Sequence, residues 1–89
     1  MPNRPHVPDN QIQAAVSKFK EELKRRLDEK GYGTFASRHE IYGVLMEEVL
    51  EFEEAARSSS SEELVSELYD IAVAAIFGAA CIEGDYVDW

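Results

Sequence analysis

Glu48 and Glu51 stand three residues apart in this chain, and so, further on, do Glu67 and Asp70. Side chains at that spacing share one face of a helix, with Cβ atoms about 5–6 Å apart, so each pair offers two carboxylates together. Four such groups gathered at one place repel one another. Three arrangements relieve the repulsion: some are protonated, cationic side chains pair with them, or a metal ion binds. The hairpin built around the stretch "VLMEEVLEFEEAARSSSSEELVSELYD", Val44 to Asp70, supplies only Arg38 near one end and Arg57 near the other, so pairing from within is poor. Hard divalent cations such as Mg²⁺ or Mn²⁺ prefer oxygen ligands, and Mg²⁺ keeps water positions that phosphate oxygens can take. A metal site built from Glu48, Glu51, Glu67 and Asp70 is therefore the expectation.

The elements that must position these groups are helices. Ile41, Val44, Leu45, Phe52 and Ala55 recur as one apolar stripe, and Glu48 falls inside it while Glu51 lies at its edge. An unpaired carboxylate on a core-facing stripe costs several kcal/mol, roughly, in lost hydration. Glu47, Glu53 and Glu54 project elsewhere and read as a solvated face. On the following segment Glu67 and Asp70 begin a side that continues as Ala74, Phe77, Gly78 and Cys81 without another charge. Measured outward from the middle of the serine run Ser58–Ser61, Glu51 matches Glu67 and Glu48 matches Asp70, each to about one residue or 1.5 Å of rise. An antiparallel hairpin would bring all four level.

Punctuation along the chain predicts three helices in one domain, residues 9–89, preceded by a flexible arm, residues 1–8, in which three prolines forbid a helix. The first helix begins after Asp9 or Asn10 as N-cap, carries Ile12, Ala15, Val16, Phe19, Leu23 and Leu27 on one face, and stops before Gly31. Its other face holds Lys18, Lys20, Lys24, Arg25 and Arg26. Ser37 with Glu40 and Ser60 with Glu63 have capping-box spacing at the starts of the second and third helices, which run to about Arg57 and about Glu83. No strand pattern is present.

Composition narrows the function. Eighty-nine residues with 45% hydrophobic content make one small core, and a net charge of −9 disfavours nucleic-acid backbones and anionic membranes as partners. Cys81, the single cysteine, can form no intrachain disulfide, which points to a reducing compartment, and the arm does not resemble a secretory signal. The uncharged run Ile71 to Ile82 is shorter than the roughly 20 residues that cross a bilayer. A cytoplasmic protein is expected.

Glu47-Glu48-x-x-Glu51, fifteen intervening residues, then Glu67-x-x-Asp70 and an alanine-rich apolar helix resembles the MazG-like all-α nucleoside triphosphate pyrophosphohydrolases. The resemblance spans His39 to Ile82. It implies a Mg²⁺-dependent enzyme that converts a nucleoside triphosphate to the monophosphate and pyrophosphate. Glu48, Glu51, Glu67 and Asp70 would be the metal ligands, and Glu47 would assist catalysis behind them or at a further metal or water. Such proteins usually carry Lys, Arg or Asn after the second motif, whereas no basic residue follows Asp70 here. Cations of the first helix, Arg38 or a neighbouring subunit could replace them. Tyr86 and Trp89 could stack on a base, although packing is the commoner role, and His39 reads as a capping or surface group.

The third helix from Ile71 to Ile82 is apolar on every side, and Met46 and Leu50 lie opposite the second helix's main stripe. Three helices cannot cover that surface, so the fold expected is an all-α, three-helix protomer assembled into a dimeric or tetrameric bundle. A di-iron carboxylate bundle would need Glu-x-x-His pairs, which are lacking. The competing reading is a non-catalytic helical dimerisation or regulatory module that retains an acidic metal-binding cluster.

Overall fold

The structure is a computed structural model that describes residues 4–58 and 60–87; Trp89, considered above for base stacking, lies outside them. Three helices, α1 (Asp9–Lys30), α2 (Arg38–Ser58) and α3 (Ser61–Glu83), make up the architecture, and no strand occurs among the described residues. Residues 4–8 are exposed and not helical.

Each boundary has a local cause. α1 starts one residue earlier than capping by Asp9 would allow: Pro8 takes the N-cap position with φ −64° and ψ 146°, and its carbonyl accepts from the Gln11 and Ile12 amides. Asp9 instead sits in the first turn, where its charge complements the exposed amides. The helix ends where Gly31 adopts φ 92° and donates its N–H to the Leu27 carbonyl, a left-handed conformation that favours glycine. At the start of α2 the Ser37 hydroxyl accepts from the Glu40 amide at 3.2 Å, while the Glu40 carboxylate accepts from Ala36 rather than Ser37, so the box closes one residue early. Ser60 caps α3 by accepting from the Glu63 amide at 3.3 Å. Beyond α3 the chain turns through Asp85, at φ 63°, and buries Val87.

α3 is the central element, packed on α2 along one side and on α1 along another. The α2–α3 seam is lined by small residues: Ala55, Ala74, Gly78 and Cys81 are all buried. A Cβ at Gly78 would stand 3.1 Å from Ile41 Cγ2, so glycine is what permits this approach. Phe35, from the connection between α1 and α2, packs edge-on to Phe77 with ring centroids 5.6 Å apart.

Little else is enclosed. Among the described residues no large side chain is fully buried, and Leu50, Leu68, Ile76 and Ile82 are about half exposed. The first two turns of α1 likewise leave Ile12 and Val16 uncovered. A chain of 10.1 kDa would expose roughly 5,300 Å² as a compact monomer, yet this one exposes 6918 Å². Its radius of gyration, 15.1 Å, likewise exceeds the ~12 Å of a compact domain this long.

Candidate metal centre

α2 presents Glu48 and Glu51 one turn apart, and α3 presents Glu67 and Asp70 in the same way. The close seam between the two helices brings the pairs together: one carboxylate oxygen from each of the four residues lies within 4.8 Å of the others. Glu48, Glu67 and Asp70 are partly buried, while Glu51 stands at the exposed rim. That matches the level pairing expected from the hairpin's arithmetic.

Two of these groups are poorly accommodated by the protein alone. Oε2 of Glu48 and Oε2 of Glu67 are buried and have no hydrogen-bond partner. Burial raises the pKa of Glu48 above the ordinary value of 4.5, and the charges of Glu51, Asp70 and Glu67 add to the rise, against a smaller opposing effect of Lys30. Glu67 is raised for the same reasons, first burial and then Asp70 and Glu51, with Arg26 opposing. Buried, orphaned oxygens in an all-oxygen donor set fit a hard divalent cation, which would take up these lone pairs and remove the mutual repulsion.

The cluster does contain one cation, in contrast to what the hairpin sequence suggests. Arg26 of α1 forms an ion pair with Asp70, both side chains largely withdrawn from solvent at 20% and 13% exposure. Arg26 was expected on the outward face of α1. It lies instead seven residues after Phe19 and three after Leu23, on the same side as the apolar stripe, and the packing of α1 on α3 turns it inward. A charged residue at stripe spacing was the available signal, the one that singles out Glu48. Arg57, by contrast, pairs with Glu53 at 2.7 Å on the surface.

Beside the cluster, a cavity of about 260 Å³ opens between the C-terminal end of α1 and the hairpin. Arg26, Lys30, Glu48 and Asp70 make its polar end, and Val44 and Phe77 are among its apolar lining. Glu47 is exposed and is not one of the four convergent carboxylates. His39 is exposed in the first turn of α2, and Tyr86 is exposed beyond α3.

Fold and site together define an all-helical protein with an acidic cluster that can hold a metal ion. Comparison of the chain with family models, with curated proteins and with solved structures finds no match.

Proposed function

We propose that this chain is a Mg²⁺-dependent nucleoside triphosphate pyrophosphohydrolase, with Mn²⁺ as a competent substitute. The observation that carries the proposal is the convergence of Glu48, Glu51, Glu67 and Asp70 within 4.8 Å, two of them with orphaned buried oxygens, beside a cavity with a cationic edge. The resemblance of the two-part motif to the MazG-like enzymes supplies the reaction class.

A divalent cation held by the four carboxylates would neutralise the triphosphate and supply a water acidic enough to attack phosphorus. The protein's own groups do the rest. Glu48 and Asp70 hold the polar end of the cavity, Val44 and Phe77 form part of its apolar wall, and Lys30 contributes positive charge where phosphate oxygens would lie. Glu47, at the exposed rim of α2, orients or accepts a proton from an outer water. Water adds to phosphorus, the phosphoanhydride bond breaks, and monophosphate and pyrophosphate leave. The test is pyrophosphate release from a panel of ordinary and modified nucleoside triphosphates with Mg²⁺. Turnover that is lost in Glu48→Gln and Asp70→Asn supports the enzyme; a folded sample inactive on every nucleotide overturns it.

One observation favours a second reading, a non-catalytic helical module. Asp70 is already paired with Arg26, and α3 carries no basic residue. Metal-dependent stabilisation without turnover would support that reading.

Both readings include self-association. The exposed apolar side chains Met46, Leu50, Leu68 and Ile76 and the excess surface of about 1,600 Å² are what a protomer brings to an obligate interface, so a second copy, or two dimers together, is proposed to cover α2 and α3. α3 is also long and apolar enough to cross a membrane by length and composition. Glu67 and Asp70, inside that span and turned toward protein, favour a protein partner and a cytoplasmic location.

A further inference from the structure

We propose that Arg26 is an exchangeable partner of Asp70: its guanidinium neutralises this carboxylate when no divalent cation is bound, and turns to the ligand's phosphate groups when the cation takes Asp70. The inference rests on the metal-binding reading of the four carboxylates and adds to it the group that meets the anion.

Three observations carry it. The Arg26–Asp70 pair joins α1 to α3, and it involves one of the four carboxylates whose oxygens converge. A divalent cation on Asp70 would sit beside a guanidinium of like sign, so the two cannot comfortably share that group. Second, the guanidinium has a place to go. Arg26 lines the cavity of about 260 Å³ together with Lys30, and its planar fork of donors matches phosphate oxygens as well as it matches a carboxylate. Third, three neighbouring cations of α1 are engaged elsewhere. Lys24 pairs with Asp28, Arg25 with Glu22 and Glu29, and Lys18 lies over the Tyr69 ring. α3 carries no lysine or arginine, so a cation for the phosphate must come from another element, and α1 delivers Arg26 and Lys30 to the cavity.

Such an exchange couples the two ligands. Arg26 competes with the metal while no phosphate is present, and it favours the metal once phosphate offers the guanidinium a partner. Removing the side chain must therefore act in opposite directions on the two affinities, which loss of a merely structural ion pair would not do.

The test is calorimetry on the full chain with Mg²⁺ alone, then with inorganic triphosphate at saturating Mg²⁺. Arg26→Gln should bind Mg²⁺ about fivefold or more tightly than the unchanged protein and bind triphosphate about fivefold or more weakly. Lys24→Gln, which removes an equal charge from the exposed side of the same helix, should change either affinity by less than about twofold. If Arg26→Gln fails to fold, the unchanged protein still decides: the Arg26 Nε–Hε resonance, assigned by its disappearance in Arg26→Lys, should shift as Mg²⁺ saturates the protein and shift again with triphosphate. Unaltered Mg²⁺ affinity in Arg26→Gln, or an Arg26 resonance indifferent to Mg²⁺ that does bind, overturns the exchange and leaves the metal site standing. Absence of Mg²⁺ binding to the unchanged protein overturns the metal site and the exchange together.

Discussion

Ile41 lies over Gly78 so closely that a Cβ at residue 78 would stand 3.1 Å from Ile41 Cγ2. This contact sets how near α2 comes to α3, and the same seam carries Glu48 and Glu51 toward Glu67 and Asp70. The distance between two apolar positions thereby governs the density of negative charge a few turns away.

Widening that seam should weaken the fold and the site together. Gly78→Val forces Ile41 aside and should cost about 1–3 kcal/mol of stability in urea unfolding, with a matching loss of Mg²⁺ affinity. Part of the stability loss should return when Ile41→Ala is added, since the two residues are in contact. Full additivity of the two substitutions would refute this account of the seam.

The metal-free protein should grow less stable, not more, as pH rises from the ordinary carboxylate value of 4.5 toward neutrality. Glu48 and Glu67 have raised pKa values in the fold, so the folded state holds more protons than the unfolded chain in that window. Their contribution is then fully present below pH 4.5 and declines as pH climbs through the raised values. Glu22, held low by Arg25 and the neighbouring cations, contributes the opposite slope, a stabilisation lost as pH falls below 4.5. The comparison that isolates the cluster is thermal unfolding in EDTA of the unchanged protein against Glu48→Gln, whose decline with pH should be shallower.

Mg²⁺ should reverse this trend. An ion bound only by the folded state adds about 2.7 kcal/mol at a free concentration a hundredfold above its dissociation constant. The rise in melting midpoint should be largest near neutral pH, where Glu48 and Glu67 have lost their protons, and much smaller below pH 4.5. A midpoint that ignores millimolar Mg²⁺ at neutral pH would leave the proposed centre without support.

Two isosteric substitutions should part company in EDTA. Glu48→Gln removes a buried charge whose Oε2 has no partner, so the metal-free variant should be at least as stable as the parent at neutral pH. Asp70→Asn strips Arg26 of its counter-charge and should cost roughly 1–3 kcal/mol. Both should lose Mg²⁺ binding. Equal destabilisation by the two would contradict the assigned electrostatics.

Sedimentation should find a dimer or larger assembly at micromolar concentration. Ile76→Lys places a charge on the exposed apolar side of α3 and should dissociate it, lowering the melting midpoint at the same time. A stable monomer with an unchanged midpoint in both proteins would refute self-association, and partition of the unchanged chain into neutral lipid vesicles would point to a bilayer as the cover for α3.

Much of the site was legible before the fold. Glu48 on an apolar stripe, the second three-residue pair at Glu67 and Asp70, and the equal distances from the serine run foretold the cluster seen between α2 and α3. Most helix boundaries were equally accessible, because Gly31, Ser37 and Ser60 act through bonds to residues three or four positions away, although Pro8 rather than Asp9 or Asn10 takes the first N-cap. Where packing between helices decides, the determinant is distant. Arg26 reads as part of the cationic face of α1, opposite the stripe that includes Ile12 and Val16, yet the structure partly buries Arg26 and leaves Ile12 and Val16 exposed.

The sequence by itself therefore determined three helices, the Ser37 and Ser60 caps, and which carboxylates share a face, since helical periodicity and capping are set within a few residues. Only the tertiary structure decided how near α2 approaches α3, that α1 lies against α3 so that Arg26 meets Asp70, and that Lys30 reaches the cavity beside Glu48. Those outcomes depend on how side chains of separate helices fit together, as Ile41 does over Gly78. No spacing along one helix encodes the angle at which another will lie.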